Sequence, residues 1–155
     1  MGKEIERKFL VKGNEWRSLG IGIIYRQGYI PNSGKQTVRV RIIGDTGYLT
    51  IKGKTVGHSR LEFEYPIPLQ DAQEMLDNLC SHPLIEKKRY TIPQGDLVWE
   101  VDEFMGENQG LIIAEVELQA ENQTITLPKW IDREVTDPKY YNANLAKVPY
   151  SQWEK

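Results

Sequence analysis

The sequence predicts an α+β domain built mostly from β-strands, and three observations point to it. Eight segments alternate apolar and polar residues with the period of a strand: 3–11, 24–30, 37–43, 47–53, 60–67, 85–91, 97–104 and 111–119. Turn-forming stretches punctuate them, among them PNSGKQ, GDTG, KTVGHS, PQGD and GENQG. One segment, QDAQEMLDNLC at 70–80, repeats apolar residues at helical spacing instead. A chain of 155 residues fits one domain with a sizeable core. No repeat or linker divides it, so a single domain over 1–155 is expected.

The first strand, KEIERKFLV, sets Glu4, Glu6 and Lys8 against Ile5, Arg7 and Phe9. Asn14 is a possible cap for a short helix in EWRSLG. In 24–30, Gln27 and Tyr29 share a face. TVRVRII places Arg39 and Arg41 opposite Val38, Val40 and Ile42, and LTIKGK places Thr50, Lys52 and Lys54 opposite Leu49 and Ile51. LEFEY opposes Glu62 and Glu64 to Leu61, Phe63 and Tyr65. The helix at 70–80 carries its stripe on Ala72, Met75, Leu76, Leu79 and Cys80. IEKKRY aligns Lys87 with Arg89; WEVDEF aligns Glu100 with Asp102; AEVEL aligns Glu115 with Glu117. The tail shows helical potential around 129–135 and 138–147.

Strand after strand thus carries two like-signed charges on one face and apolar residues on the other. A solubility device would intersperse the signs. Two geometries accommodate the pattern. Either the apolar faces form the core and the ionic faces meet water, or the sheet curls into a barrel with the ionic faces inward. An ionic interior costs several kcal/mol per desolvated ion. It therefore implies a densely charged ligand. The bases suit phosphate, with arginine able to make bidentate contacts. The carboxylates suit hard divalent cations such as Mg2+ or Mn2+.

Composition narrows the classes. A formal net charge of −2 and a pI near 5.8 argue against a general nucleic-acid binder. No apolar run approaches the ~20 residues that span a bilayer, and the charged N-terminus lacks the pattern of a signal peptide. The single cysteine, Cys80, fits core packing and a reducing, cytoplasmic compartment. His58 and His82 have no partner at zinc-site spacing. The chain contains no GxxxxGK[ST], GxGxxG or GxSxG motif.

The run EIERK resembles the ExExK signature that opens the CYTH domains, or triphosphate tunnel metalloenzymes. VRVR, TIKGK, EFE, KKRY, WEVDEF, AEVEL and EVTDPKYYNANLA follow in the family's order across essentially the whole chain. The resemblance implies an eight-stranded antiparallel β-barrel forming a tunnel, and triphosphate substrates bound with divalent metal. It implies metal-binding roles for Glu4, Glu6, Glu64, Asp102, Glu115 and Glu117. It implies phosphate-binding roles for Arg39, Arg41, Lys52, Lys87 and Arg89, and places Lys8 and Lys52 in the catalytic set. Lys8 would position or activate the attacking water. Lys54, Glu62 and Glu100 continue the same faces, with a rim or salt-bridge role as the alternative. Gln27 and Tyr29 line the tunnel or simply pack. The expected activity is hydrolysis of inorganic tripolyphosphate with Mg2+ or Mn2+. The alternatives are a class IV adenylate cyclase, a thiamine or nucleoside triphosphatase, and a non-catalytic polyphosphate-binding module. Neither a nucleic-acid nor a membrane partner is expected, and the chain would be a monomer or a homodimer.

Overall fold

Strands whose two faces differ so sharply must each hide one face, and a closed sheet hides the same face of all of them. The computed structural model, which describes residues 3–153, has this arrangement. The eight predicted strands all form: β1 (Lys3–Val11), β2 (Gly22–Tyr29), β3 (Thr37–Ile43), β4 (Thr46–Lys52), β5 (Ser59–Ile67), β6 (Ile85–Gln94), β7 (Leu97–Phe104) and β8 (Ile112–Glu117). They pair antiparallel in the order β5-β4-β3-β2-β6-β7-β8-β1, and β5 returns to β1 to close the barrel. The Gly-Asp loops of the β3–β4 and β6–β7 hairpins are two residues long. Gly44 (φ +61°) and Gly95 (φ +58°) take the left-handed backbone that such a turn needs at its first position.

A ninth strand, β9 (Ile131–Val135), replaces the helix expected over 129–135. Ile131 and Val135 are both buried, and a spacing of four residues puts them on one face of a helix or of a strand alike. The tertiary context decides. β1 pairs with β5 only through Lys3–Ile5, and β9 takes up the backbone beyond, opposite Lys8, Phe9 and Val11. Elsewhere the helical readings hold. α1 (Leu69–Asn78) and α2 (Asn142–Lys147) form, with a 3-10 turn over Pro138–Tyr140 before α2. A second 3-10 turn, Glu15–Ser18, follows Asn14, whose side chain caps no backbone N–H. Leu79, expected on the helical stripe, falls after the last residue of α1 and is exposed.

The outer apolar faces are covered in two sectors. Over β1, β6, β7 and β8 lie Trp16 and the Trp130 segment, packed on Phe9, Trp99, Val101 and Val116. Over β3, Ala72 and Leu76 of α1 and nearby Cys80 bury Val40 and Ile42. The β4–β5 sector stays bare, with Ile51, Leu61, Phe63 and Tyr65 exposed. A third cluster lies at one end of the barrel. Ile85, Phe104 and Ile113 share strand faces with the lumen charges and pack with Tyr140, Leu145 and Ala146. α2 thereby closes over that end of the barrel, and its residues Asn142, Ala143 and Asn144 line the lumen.

Trp99 is fully buried, in edge contact with Phe9 at 5.4 Å and Trp130 at 5.7 Å between ring centroids. Trp99→Ala is expected to cost about 3–5 kcal/mol of stability, read as a lowered midpoint in urea unfolding.

Candidate functional site

The register converts the sequence's charged faces into one inner wall. Glu6 stands opposite Glu117, and Lys8 opposite Glu115. Glu115 in turn faces Glu100, and Asp102 faces Arg89. Lys87 faces Tyr25, Gln27 faces Arg41 and Tyr29 faces Arg39. Thr50 lies between Arg39 and Glu64, Lys52 opposite Glu62, and Glu4 opposite Arg60. The wall encloses a cavity of about 420 Å³, lined by Glu6, Lys8, Arg39, Lys52, Arg89 and Glu115 among others; Lys87 also reaches it. Lys54 stands at its rim. Glu4 lines a smaller, adjoining pocket of about 100 Å³. Arg41, Glu64, Asp102 and Glu117 belong to the same wall faces but lie outside the lining of both spaces.

Buried charges must be paired, and most of these are. Arg89 grips Asp102 bidentately at 2.7 and 2.8 Å, and Lys87 reaches the same carboxylate at 2.7 Å. Lys52 donates to Glu4 at 2.9 Å, and Lys8 pairs with Glu115 and Glu6. Glu64 accepts from Thr50 at 2.6 Å and from Arg41 and Arg39 at 3.2 and 3.4 Å. Burial opposes the charge on Lys8, yet Glu115 and Glu6 outweigh it and raise the ammonium above the usual lysine value. Without metal beside these two carboxylates, Lys8 therefore keeps its positive charge.

Two imbalances remain, of opposite sign. On the basic side, burial first and then Arg89 push Lys87 down to about 7, because Asp102 is shared with the guanidinium. Burial, then Arg39 and Arg89, lowers Arg41 as well. The Nε groups of Arg39 and Arg41 are buried without an acceptor. On the acidic side, Glu117 has no ion pair among the described residues. Burial, then Glu4, Glu62, Glu6 and Glu100, raises its carboxyl. The first imbalance is what an anion rich in oxygen acceptors relieves, the second what a hard cation relieves. The donor set thus fits a divalent metal chemically, although no three acidic, histidine or cysteine side chains among the described residues are arranged as a ready ligand cage.

Three residues of the site were not singled out by charge pattern. Asn142, at the start of α2, accepts from Lys87 at 2.8 Å and from Gln27 at 3.1 Å. Tyr141 presents its ring to Lys8 at 5.8 Å. Neither lies on a strand, so no alternation marks them. Arg60 shares the face of Glu62 and Glu64, and its parity on β5 was the available signal. Cys80 is remote from these groups, packed under α1, with burial pushing its thiol up to about 11.

Comparison with known proteins adds to this geometry. The CYTH domain pattern matches residues 2–147. The chain is 54% identical to the inorganic triphosphatase of Acetivibrio thermocellus over 156 aligned positions, covering the whole of both proteins. It resembles the crystal structure of the inorganic triphosphatase NE1496 with a TM-score of 0.64 and 30% identity, over 92% of this chain and 93% of that one. The PH1012 protein of Pyrococcus horikoshii OT3 shares the fold, with a TM-score of 0.60 and 17% identity over 77% and 80% of the two chains.

Two carboxylates of this site should respond oppositely to neutralisation. Asp102 is buried, which raises its carboxyl, but Arg89 and Lys87 prevail and hold it below the usual 3.8. Its stabilising contribution is present above that value and lost as the pH falls through its lower, folded value. Asp102→Asn at pH 7 is expected to destabilise by about 3–5 kcal/mol, the cost of breaking a buried pair. Glu117, raised above the usual 4.5, destabilises the fold at neutral pH and ceases to do so as the pH falls below that value. Without metal, Glu117→Gln should raise the melting temperature at pH 7 and leave it unchanged at pH 4, as measured by calorimetry.

Proposed function

The chain belongs to the CYTH domain family, and on that premise we infer that it is an inorganic triphosphatase, hydrolysing tripolyphosphate to pyrophosphate and phosphate. The observation that carries this reading is the pair of opposed charge imbalances within one barrel. Arg39, Arg41, Lys87 and Arg89 repel one another beside two unsatisfied guanidinium N–H groups. A triphosphate supplies the missing acceptors and the missing negative charge. Its full-length likeness to an inorganic triphosphatase at 54% identity supports the same substrate class.

The residues divide the work. Arg39, Arg41, Lys52, Lys87 and Arg89 bind the phosphates and spread the charge that develops on the transferred group. Glu64 and Asp102 hold these bases in place through the hydrogen bonds described above. Glu4, Glu6, Glu115 and Glu117 are the carboxylates that would hold a divalent ion, Mg2+ or Mn2+. That ion supplies Lewis-acid polarisation of phosphate oxygens when bound. Lys8, beside Glu115 and Glu6, orients the attacking water and neutralises charge. The wall holds many charges suited to phosphate but, among the described residues, no recognisable set for adenine and ribose, which favours hydrolysis over cyclisation. No helix among the described residues is long and apolar enough to cross a membrane. The single cysteine supports a cytoplasmic setting.

Incubation with tripolyphosphate and Mg2+ or Mn2+ should yield pyrophosphate and phosphate, with ATP a poorer substrate and no turnover in excess chelator. Cyclic AMP as the main product from ATP, formed faster than tripolyphosphate is cleaved, would overturn the assignment. Arg41→Ala should cost about 2–5 kcal/mol in kcat/KM, whereas Lys8→Ala should lower kcat more than it raises KM. Because burial and Arg89 push Lys87 of the free protein down to about 7, KM is expected to rise as the pH increases above 7. A KM flat from pH 6 to 9 would deny Lys87 that role.

A further inference from the structure

Arg60 is a cation of the tunnel wall with no part in the roles assigned above. On β5 it shares a face with Glu62 and Glu64, and it stands opposite Glu4 across the strand pair that closes the barrel. Its Nε donates to Glu4 Oε1 at 3.1 Å, an oxygen that also accepts from Lys52 at 2.9 Å. A guanidinium carries five N–H donors, and this bond uses one. The two terminal nitrogens make no hydrogen bond to any described residue. They are not among the buried unpaired polar atoms, and the side chain is part-exposed: Arg60 lines both the cavity of about 420 Å³ and the adjoining pocket of about 100 Å³. Glu6, Lys8, Thr55 and Tyr141 line both spaces too, so the two meet where Arg60 stands. The ring of Tyr141 lies 6.0 Å from the Arg60 guanidinium carbon and 5.8 Å from Lys8 Nζ.

We propose that Arg60 is a substrate-binding residue that holds the terminal phosphate of the chain beside Lys8. The proposal rests on the triphosphatase reading. Its physical basis is the unused fork. Two parallel N–H groups match two oxygens of one phosphate, a contact that lysine's point charge does not reproduce. The terminal phosphate carries more unbridged oxygens than an internal one and so requires the most donors. The bond from Nε to Glu4 fixes the plane of the guanidinium before substrate arrives, which reduces the ordering cost of binding. Arg39, Arg41, Lys87 and Arg89 sit on β3 and β6, whereas Arg60 approaches from the β1–β5 seam next to Lys8. It thus completes the grip on the side where water must attack.

The test compares wild type, Arg60→Ala and Arg60→Lys by titration calorimetry with tripolyphosphate in excess chelator, by melting temperature, and by kinetics in Mn2+. Arg60→Ala should weaken tripolyphosphate binding about tenfold, equivalent to ~1.4 kcal/mol, and raise KM correspondingly with a smaller change in kcat. Arg60→Lys keeps a cation beside Glu4, so it should recover the melting temperature but not the affinity. If both variants bind tripolyphosphate and show KM as the wild type does, Arg60 is only the partner of Glu4 and the proposal fails. Should the alanine variant not fold, the lysine variant decides alone. A wild type that binds tripolyphosphate without cleaving it would refute the triphosphatase reading while the titrations still judge Arg60. A wild type that does not bind it in either condition refutes both.

Discussion

Charge compensation inside a closed barrel is the constraint on which the rest of this structure depends. Ions removed from water are costly unless each finds a partner, and here they come in quantity from every wall of the sheet. The arrangement answers with pairing across strands: Lys8 with Glu115, Lys52 with Glu4, Arg89 with Asp102, and Arg39 and Arg41 with Glu64. What the pairs leave over is a surplus of base on β3 and β6 and a surplus of acid around Glu117. A protein that only needed stability would not keep two surpluses so near each other without letting them cancel. Their separation is what gives a polyanion and a metal ion a reason to enter together.

The rest of the fold follows from putting charge inside. The apolar faces must then lie outward, which explains the tryptophans and α1 laid over the barrel rather than within it. Closure requires β1 to serve two neighbours on one side, β5 for its first residues and β9 beyond. That shared seam brings Glu4, Arg60, Glu6 and Lys8 together. The apolar cluster of Ile85, Phe104, Ile113 and Leu145 then fills one end of the tunnel, and Asn142 meets Lys87 where the apolar filling gives way to charge. The bases are held by carboxylates on adjacent or next-but-one strands of the barrel rather than on loops, so the phosphate-binding geometry is built before substrate arrives.

Most of the barrel was legible because strand alternation is a strict rule. Arg39 and Arg41, or Glu115 and Glu117, announce their shared face from spacing alone, and the observed register keeps them there. What alternation cannot report is which face is inside; that reading came from the like-signed charge pairs on strand after strand and from family resemblance. Local pattern failed at 131–135, where a four-residue spacing serves helix and strand equally and the open edge of β1 decided. It was silent on Tyr141 and Asn142, because loop and helix-start residues reach the lumen only through the path of the chain. It also could not rank carboxylates: Glu62 and Glu100 crowd Glu117 while pairing with Lys52 and Arg89, whereas Glu64 and Asp102 accept hydrogen bonds from arginines. Such pairings depend on distances across the barrel that no spacing within one strand encodes.

The most direct measurement is a crystal structure of the protein with tripolyphosphate and Mn2+, the ion being located by its anomalous scattering. The phosphate chain should lie in the lumen against Arg39, Arg41, Lys87 and Arg89, with the manganese peak between it and the carboxylates of Glu4, Glu6 and Glu117. Phosphate bound only on the outer surface of the barrel, or an empty lumen beside a metal held elsewhere, would contradict the assignment of the charged interior as the site of reaction.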